Sequence, residues 1–155
     1  MIHNKELVNR LIEKGYKISA AESCTGGMFA SKIVEVADAS KAFDMSFVTY
    51  ANEAKIKLLN VKEETINKFG VVSEEVAIQM AKGVKEVSGA DIGIGISGIA
   101  GPGGATPNKP VGMVCFGVAF GNKTLSITKQ FGDLGRNIVR EKAVEFIIEL
   151  LLMLI

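Results

Sequence analysis

Apolar positions change their spacing several times along the chain, and each change marks an element. Leu7, Val8, Leu11 and Ile12 recur at the three- and four-residue interval that gives a helix one apolar face. Asn4 stands where an N-cap would and Gly15 where a left-handed C-cap would, so a first helix is predicted between them. Tyr16 to Ala21 reads as a short buried strand, Gly26 to Val36 as a helix, and Ala37 to Lys41 as a turn of small residues. Phe43 to Tyr50 alternates in part and is rich in β-formers, which predicts a second strand. Asn52 is placed to cap a short helix through Leu59, and a second short helix, Lys62 to Phe69, ends at Gly70. Ser73 followed by Glu74 and Glu75 offers a capping hydroxyl with acids in the positive first turn, predicting a helix to about Val87 that closes near Gly89. Asp91 to Ile99 is an apolar run suited to a strand buried on both faces. Gly101 to Pro110 is a loop rich in glycine and proline. Val111 to Phe120 and Lys123 to Phe131 are strands joined by the two-residue hairpin signal Gly121-Asn122. A long amphipathic helix from about Gly135 ends the chain.

The connections fix a topology. Strands one to three are separated by helices and should run parallel; strand four returns directly, antiparallel to its neighbours. The expected fold class is α/β: three layers, α/β/α, around a mixed five-stranded sheet, in one domain spanning residues 1–155.

Composition narrows the function classes. The chain is 48% hydrophobic and 23% charged with a formal net charge of +1, the balance of a compact soluble protein. It has no basic block and few aromatics, so nucleic acid is not an expected partner. No apolar run approaches a membrane span, and residues 1–12 lack the apolar core of a signal peptide. Cys24 and Cys115 form no metal or redox spacing and suit a reducing, cytoplasmic setting. The single histidine, His3, is poorly placed for a Ser-His-Asp triad, and no ligand cluster suggests a metal, so no cofactor is expected.

Three stretches carry candidate chemistry. Ala20 to Gly27 turns sharply from strand to helix with Ser23, Cys24 and Thr25 at the turn. A hydroxyl there can cap the helix, hold an anion, or act as a nucleophile beside free backbone N–H groups. Cys24 is a rival nucleophile or a small buried hydrophobe. In the second stretch, Tyr50 would end strand two and Lys55 would lie in the next helix's first turn, opposing its macrodipole; a solvated surface lysine is the plainer reading. If strands one and two are neighbours, Ser23 and Tyr50 emerge at the same sheet edge, where open α/β sheets bind ligands. The third stretch, Ile96 to Gly104, follows the most buried strand. Gly93 to Gly98 formally matches G-x-G-x-x-G, but those glycines lie inside the strand and no helix follows. The loop beyond is either a wide connection or a set of backbone donors for a ligand. Ser73 reads mainly as an N-cap. Arg136 and Arg140, at i and i+4, suit a phosphate or pair with acids such as Glu141.

Ala21-Glu22-Ser23-Cys24-Thr25-Gly26-Gly27, Thr49-Tyr50-Ala51-Asn52-Glu53-Ala54-Lys55, Gly70-Val71-Val72-Ser73-Glu74-Glu75-Val76-Ala77, Gly98-Ile99-Ala100-Gly101-Pro102-Gly103-Gly104 and Lys109-Pro110-Val111-Gly112 together resemble the CinA C-terminal domain family, which includes nicotinamide-nucleotide amidases. The resemblance runs in order over nearly the whole chain. It implies the three-layer fold and hydrolysis of the carboxamide of nicotinamide mononucleotide to nicotinic acid mononucleotide and ammonia, in the pyridine nucleotide cycle. By motif, the nucleophile falls on Ser23, the base on Lys55 and a proton-relaying tyrosine on Tyr50. Substrate contacts are expected from Cys24, Thr25, Gly26, Gly27, Ser73, Gly98, Gly101, Gly103, Gly104 and Arg136, with N–H groups near Cys24 to Gly26 holding the oxyanion. The alternative is a non-catalytic nucleotide-binding module of the same fold. The family's Gly-Asp-Arg after the last strand is altered here: Gly132-Asp133 is followed by Leu134-Gly135 and only then Arg136. The nucleotide-handling domain that precedes this one in longer members has no counterpart, so its activities are not expected. The expected partners are a small-molecule nucleotide and further copies of the chain. A working lysine base needs a pKa of roughly 7–8 rather than about 10.4, so Lys55 is expected to be shielded from water and hydrogen-bonded to Ser23 or Tyr50.

Overall fold

The computed structural model describes residues 2–155. The elements in order are α1 (Asn4–Lys14), β1 (Ile18–Glu22), α2 (Met28–Val34), β2 (Phe47–Val48), α3 (Asn52–Leu59), α4 (Glu63–Phe69), α5 (Glu74–Ser88), β3 (Ile92–Gly98), β4 (Met113–Phe120), β5 (Lys123–Gln130) and α6 (Arg136–Leu154), with a 3₁₀ turn at Ala39–Lys41. The sheet order is β2-β1-β3-β4-β5. β1 is parallel to both β2 and β3, and β4 is antiparallel to β3 and β5. The mixed five-stranded sheet and its direction changes are those expected from the connections. Among the described residues no helix is long and apolar enough to cross a membrane.

Alternation along β3 builds the two helix layers. Ile92, Ile94 and Ile96 point into a core shared with α1, α2 and α6, through Leu7, Phe29, Val139 and Ile147 among others. Burying each such side chain contributes about 1.5–3 kcal/mol. The opposite face carries Gly93 and Gly95, and Gly117 on β4. A Cβ at these positions would lie 2.2 Å from the Ala81 carbonyl oxygen, 2.3 Å from that of Ala77 and 2.4 Å from that of Ala77, respectively. The glycines that imitate a dinucleotide fingerprint therefore serve close packing: they let the α5 backbone lie directly on the sheet. α3 and α4 pack against α5 on its flank.

Three local expectations are corrected. Helix α1 begins at Asn4 rather than after it; the Asn4 amide donates to the Lys32 carbonyl (2.8 Å), tying α1 to α2. Helix α3 is preceded by Ala51 in an extended conformation and has no side-chain cap, so Asn52 is its first residue rather than its cap. Strand β2 shrinks from eight residues to two. Ser46 explains why: its hydroxyl accepts from Ala20 N–H (3.0 Å) and donates to Ala20 C=O (2.6 Å), satisfying the groups a continuing strand would have paired. The predicted cap at Ser73 is present, with its Oγ accepting from Val76 N–H at 3.2 Å.

Candidate active site

The carboxyl ends of β1, β2 and β3 lie side by side, so the residues just beyond them share one sheet edge. Ser23 follows β1, Tyr50 lies two residues beyond β2, and Gly98 ends β3. The pairing carries on a little past the strands, through Ser23 N–H to Ile96 C=O (3.0 Å) and Thr49 N–H to Glu22 C=O (2.9 Å). A cleft of about 270 Å³ opens there, lined among others by Ser23, Cys24, Tyr50, Lys55, Gly98 and Arg136. A broader depression of about 580 Å³ along α1 brings together only surface residues such as His3, Glu6 and Arg10. Convergence of reactive groups, not size, marks the cleft.

Lys55 is the centre of the arrangement. It sits in the first turn of α3, and its side chain is 0% exposed. Its Nζ lies 3.1 Å from Ser23 Oγ, 2.8 Å from Thr49 O and 3.1 Å from Tyr50 O. Burial lowers its pKa from 10.5 to about 8. The three partners are not equivalent. Two are carbonyls, which only accept, whereas a hydroxyl both donates and accepts. A neutral amine has two N–H groups and one lone pair. With both N–H groups given to Thr49 and Tyr50, the lone pair is left for the Ser23 proton. The carbonyls thus aim the amine at the hydroxyl.

Cys24 is buried, and burial pushes its thiol up to about 12, well away from an available thiolate. The Tyr50 side chain is 62% exposed, and its hydroxyl accepts from Arg136 Nη2 (2.9 Å). Lys55 Nζ contacts Ser23 Oγ directly, and what Tyr50 gives Lys55 is its carbonyl, while the phenol faces Arg136. Arg136 also donates to Gly101 C=O (2.8 Å), so it bridges the tyrosine and the glycine loop despite the altered sequence before it.

Of the other expected ligand residues, Gly98, Gly101, Gly103 and Gly104 line the cleft. Thr25, Gly26, Gly27 and Ser73 do not line it. Gly26 and Gly27, with φ of +56° and +99°, shape the turn, and a Cβ on Gly26 would sit 3.3 Å from Arg140 Nη2. The Gly26 N–H is engaged by Ser23 C=O (3.1 Å), which removes it from the oxyanion donors. The buried Ser73 hydroxyl is consumed between Gly70 C=O and Val76 N–H.

One residue went unread in the sequence, and another has partners different from those read for it. Glu22 is 0% exposed, and its carboxylate accepts from Phe29 N–H (2.9 Å) and Ala30 N–H (3.1 Å). The start of α2 therefore already holds an anion supplied by the chain, and the role first read for a ligand there is filled. An acid one residue before the turn was the available signal. Arg140, read as a phosphate or acid partner, donates instead to Cys24 C=O (2.9 Å) and Thr25 C=O (3.0 Å). Asn52, Val72 and Ser97 also line the cleft, with Ser97 Oγ fixed on Val71 C=O at 2.8 Å.

Comparison with known proteins is consistent over the whole chain. The model of the CinA C-terminal domain family matches residues 2–155. A CinA-like protein of Kosmotoga olearia is 52% identical over 143 residues, covering 92% of this chain and 34% of that protein. A putative competence-damage inducible protein of Caldicellulosiruptor saccharolyticus is 55% identical over 128 residues, covering 82% and 31%. This chain thus spans about a third of the length of these curated relatives. Among solved structures, a CinA superfamily protein from Escherichia coli superposes with a TM-score of 0.94 at 34% identity, covering 98% of this chain and 88% of that one. The competence/damage inducible protein CihA from Agrobacterium tumefaciens gives 0.92 at 40% identity, covering 97% and 94%.

Proposed function

The chain belongs to the CinA C-terminal domain family, and from that membership and the Ser23–Lys55 pair we propose that it is an amidohydrolase acting on the carboxamide of nicotinamide mononucleotide. The observation that carries the reading is a fully buried lysine amine 3.1 Å from a serine hydroxyl at the mouth of a cleft. Ser23 Oγ attacks the amide carbon while its proton passes to neutral Lys55. The tetrahedral oxyanion is held by backbone N–H groups of the turn after Ser23. Collapse breaks the carbon–nitrogen bond, and the Lys55 ammonium returns the proton to the departing ammonia. Water then attacks the ester carbon, giving its proton to Lys55; the bond from that carbon to Ser23 Oγ breaks, Lys55 returns the proton to Oγ, and the nicotinate product leaves. Tyr50, Arg136 and the Gly101 to Gly104 loop hold the nucleotide portion, largely through backbone donors, since no basic cluster in the cleft is large enough to do so by charge. Neither step uses a metal. A binding module of the same fold would have no use for an amine lowered to about 8 and aimed at a hydroxyl.

Ammonia release from nicotinamide mononucleotide by the purified protein tests the reading, with Ser23→Ala as the paired control. Stoichiometric ammonia and nicotinic acid mononucleotide, both lost in the variant, are expected. Tight binding without product would favour the binding module.

A further inference from the structure

We infer that Arg140 is a positioning residue for the oxyanion site, acting through two consecutive peptide groups on the N–H of Cys24. The inference rests on Ser23 as nucleophile. Arg140 extends from α6 to the turn after β1, a sequence separation of more than a hundred residues, and spends its guanidinium on two main-chain carbonyls there.

The hydrogen bonds form a continuous chain. Arg140 Nη2 donates to Thr25 C=O at 3.0 Å. That carbonyl belongs to the same peptide group as the Gly26 N–H, which donates to Ser23 C=O at 3.1 Å. The Ser23 carbonyl in turn shares its peptide group with the Cys24 N–H. Cys24 lines the cleft directly after the nucleophile, the position from which a nucleophile turn supplies an oxyanion donor. A peptide whose carbonyl accepts from a charged donor is polarised so that its own N–H donates more strongly, and bonds in series reinforce one another. Arg140 Nε makes the shorter version, through Cys24 C=O (2.9 Å) to the N–H of Thr25. Among the described residues no other residue accepts from the Cys24 or Thr25 N–H, and the Cys24 N–H meets only its own thiol.

The turn needs this outside hold. The α2 N-terminus is already neutralised by the Glu22 carboxylate, so its dipole is spent on the protein's own anion. Gly26 at φ +56° gives the turn no intrinsic rigidity, and the place its Cβ would take lies 3.3 Å from the guanidinium. The positive charge that favours an oxyanion at Ser23 thus comes from α6, delivered through the main chain rather than by contact with substrate.

The test uses Arg140→Lys and Arg140→Met, with two readouts on the full chain. The first is turnover of nicotinamide mononucleotide. The second is labelling of Ser23 by a fluorophosphonate, in which Oγ–P forms, fluoride leaves and the serine proton passes to Lys55. Removing a direct oxyanion donor costs about 10²–10³ in kcat. An indirect one should cost less: about 10- to 100-fold in Arg140→Met and less in Arg140→Lys, after scaling to the folded fraction from thermal melts. KM should stay within about threefold, the kcat pH midpoint should hold, and labelling should slow in parallel. A raised KM with unchanged kcat would make Arg140 a substrate contact and overturn the inference. So would a loss that vanishes on scaling, or equal labelling rates in all three proteins. If the wild type is labelled at Ser23 yet does not hydrolyse the nucleotide, the substrate assignment fails while the labelling rates still decide the role of Arg140. No labelling of the wild type at Ser23 overturns both.

Discussion

Ser23 and Cys24 are adjacent, and their chemistry is separated by burial. The thiol is pushed up to about 12, while the hydroxyl meets an amine at about 8. Ser23→Ala is therefore expected to abolish ammonia release and Cys24→Ala to retain most of it; the reverse pattern in a steady-state assay would exchange their roles. Glu22 makes a prediction of stability instead. Glu22→Gln keeps one acceptor where α2 presents two N–H groups and adds a buried NH₂, so a loss of about 1–3 kcal/mol is expected in urea denaturation. Lys55 couples folding to pH. Its folded pKa lies below its unfolded value of about 10.5. The unfolded chain binds more protons between about pH 8 and 10.5, so this group makes stability rise with pH across that window. Below about pH 8 it imposes a constant cost on the order of 3 kcal/mol. The stability difference between wild type and Lys55→Met should therefore shift in favour of wild type from pH 7.5 to 10, and a difference independent of pH would mean that Lys55 is folded in its charged form.

At the scale of elements, α5 on the sheet and the glycine loop over the cleft make opposite predictions. Gly95→Ala puts a methyl group 2.3 Å from the Ala77 carbonyl oxygen, so α5 must lift; about 1–3 kcal/mol of stability should be lost. Gly103 has nothing within 4 Å of its Cβ position and lines the cleft, so Gly103→Val should leave the melting temperature unchanged while raising KM. An unchanged KM would make the loop a connection only. The same elements show what was legible in the sequence. Helix faces, the Ser73 cap, the Gly-Asn hairpin and the parallel-to-antiparallel change all follow from periodicity and turn chemistry over a few residues. The short β2 does not, because Phe43 to Tyr50 has strand composition and the competing hydroxyl of Ser46 acts on a residue far away in sequence. Asn4 and Asn52 have the side chains of caps, but each already stands inside its helix as the first residue. His3 and Ala51 hold the N-cap positions, and Ala51 has an extended backbone. At the site, the pairing of Ser23 with Lys55 was legible only from the family motifs, since the dipole placement of the lysine alone favoured a solvated surface position. The roles of Glu22 and Arg140 were not legible, because their partners are main-chain groups whose free valences appear only once the turn is built.

At the scale of the molecule, one sheet edge gathers the serine after β1, the carbonyls after β2 that orient the lysine of α3, the loop after β3 and two arginines of α6. The Ser-Lys reading depends on the whole arrangement keeping one amine dry and neutral. The pH dependence of kcat for ammonia release from nicotinamide mononucleotide tests this most directly, measured for wild type and Lys55→Met. The expected profile rises with pH through a midpoint near 8, because the unprotonated amine is the base, while Lys55→Met retains at most a few per cent of activity with no midpoint there. A Lys55→Met enzyme of near wild-type rate, or one that keeps the same midpoint, would contradict the assignment of Lys55 as the base.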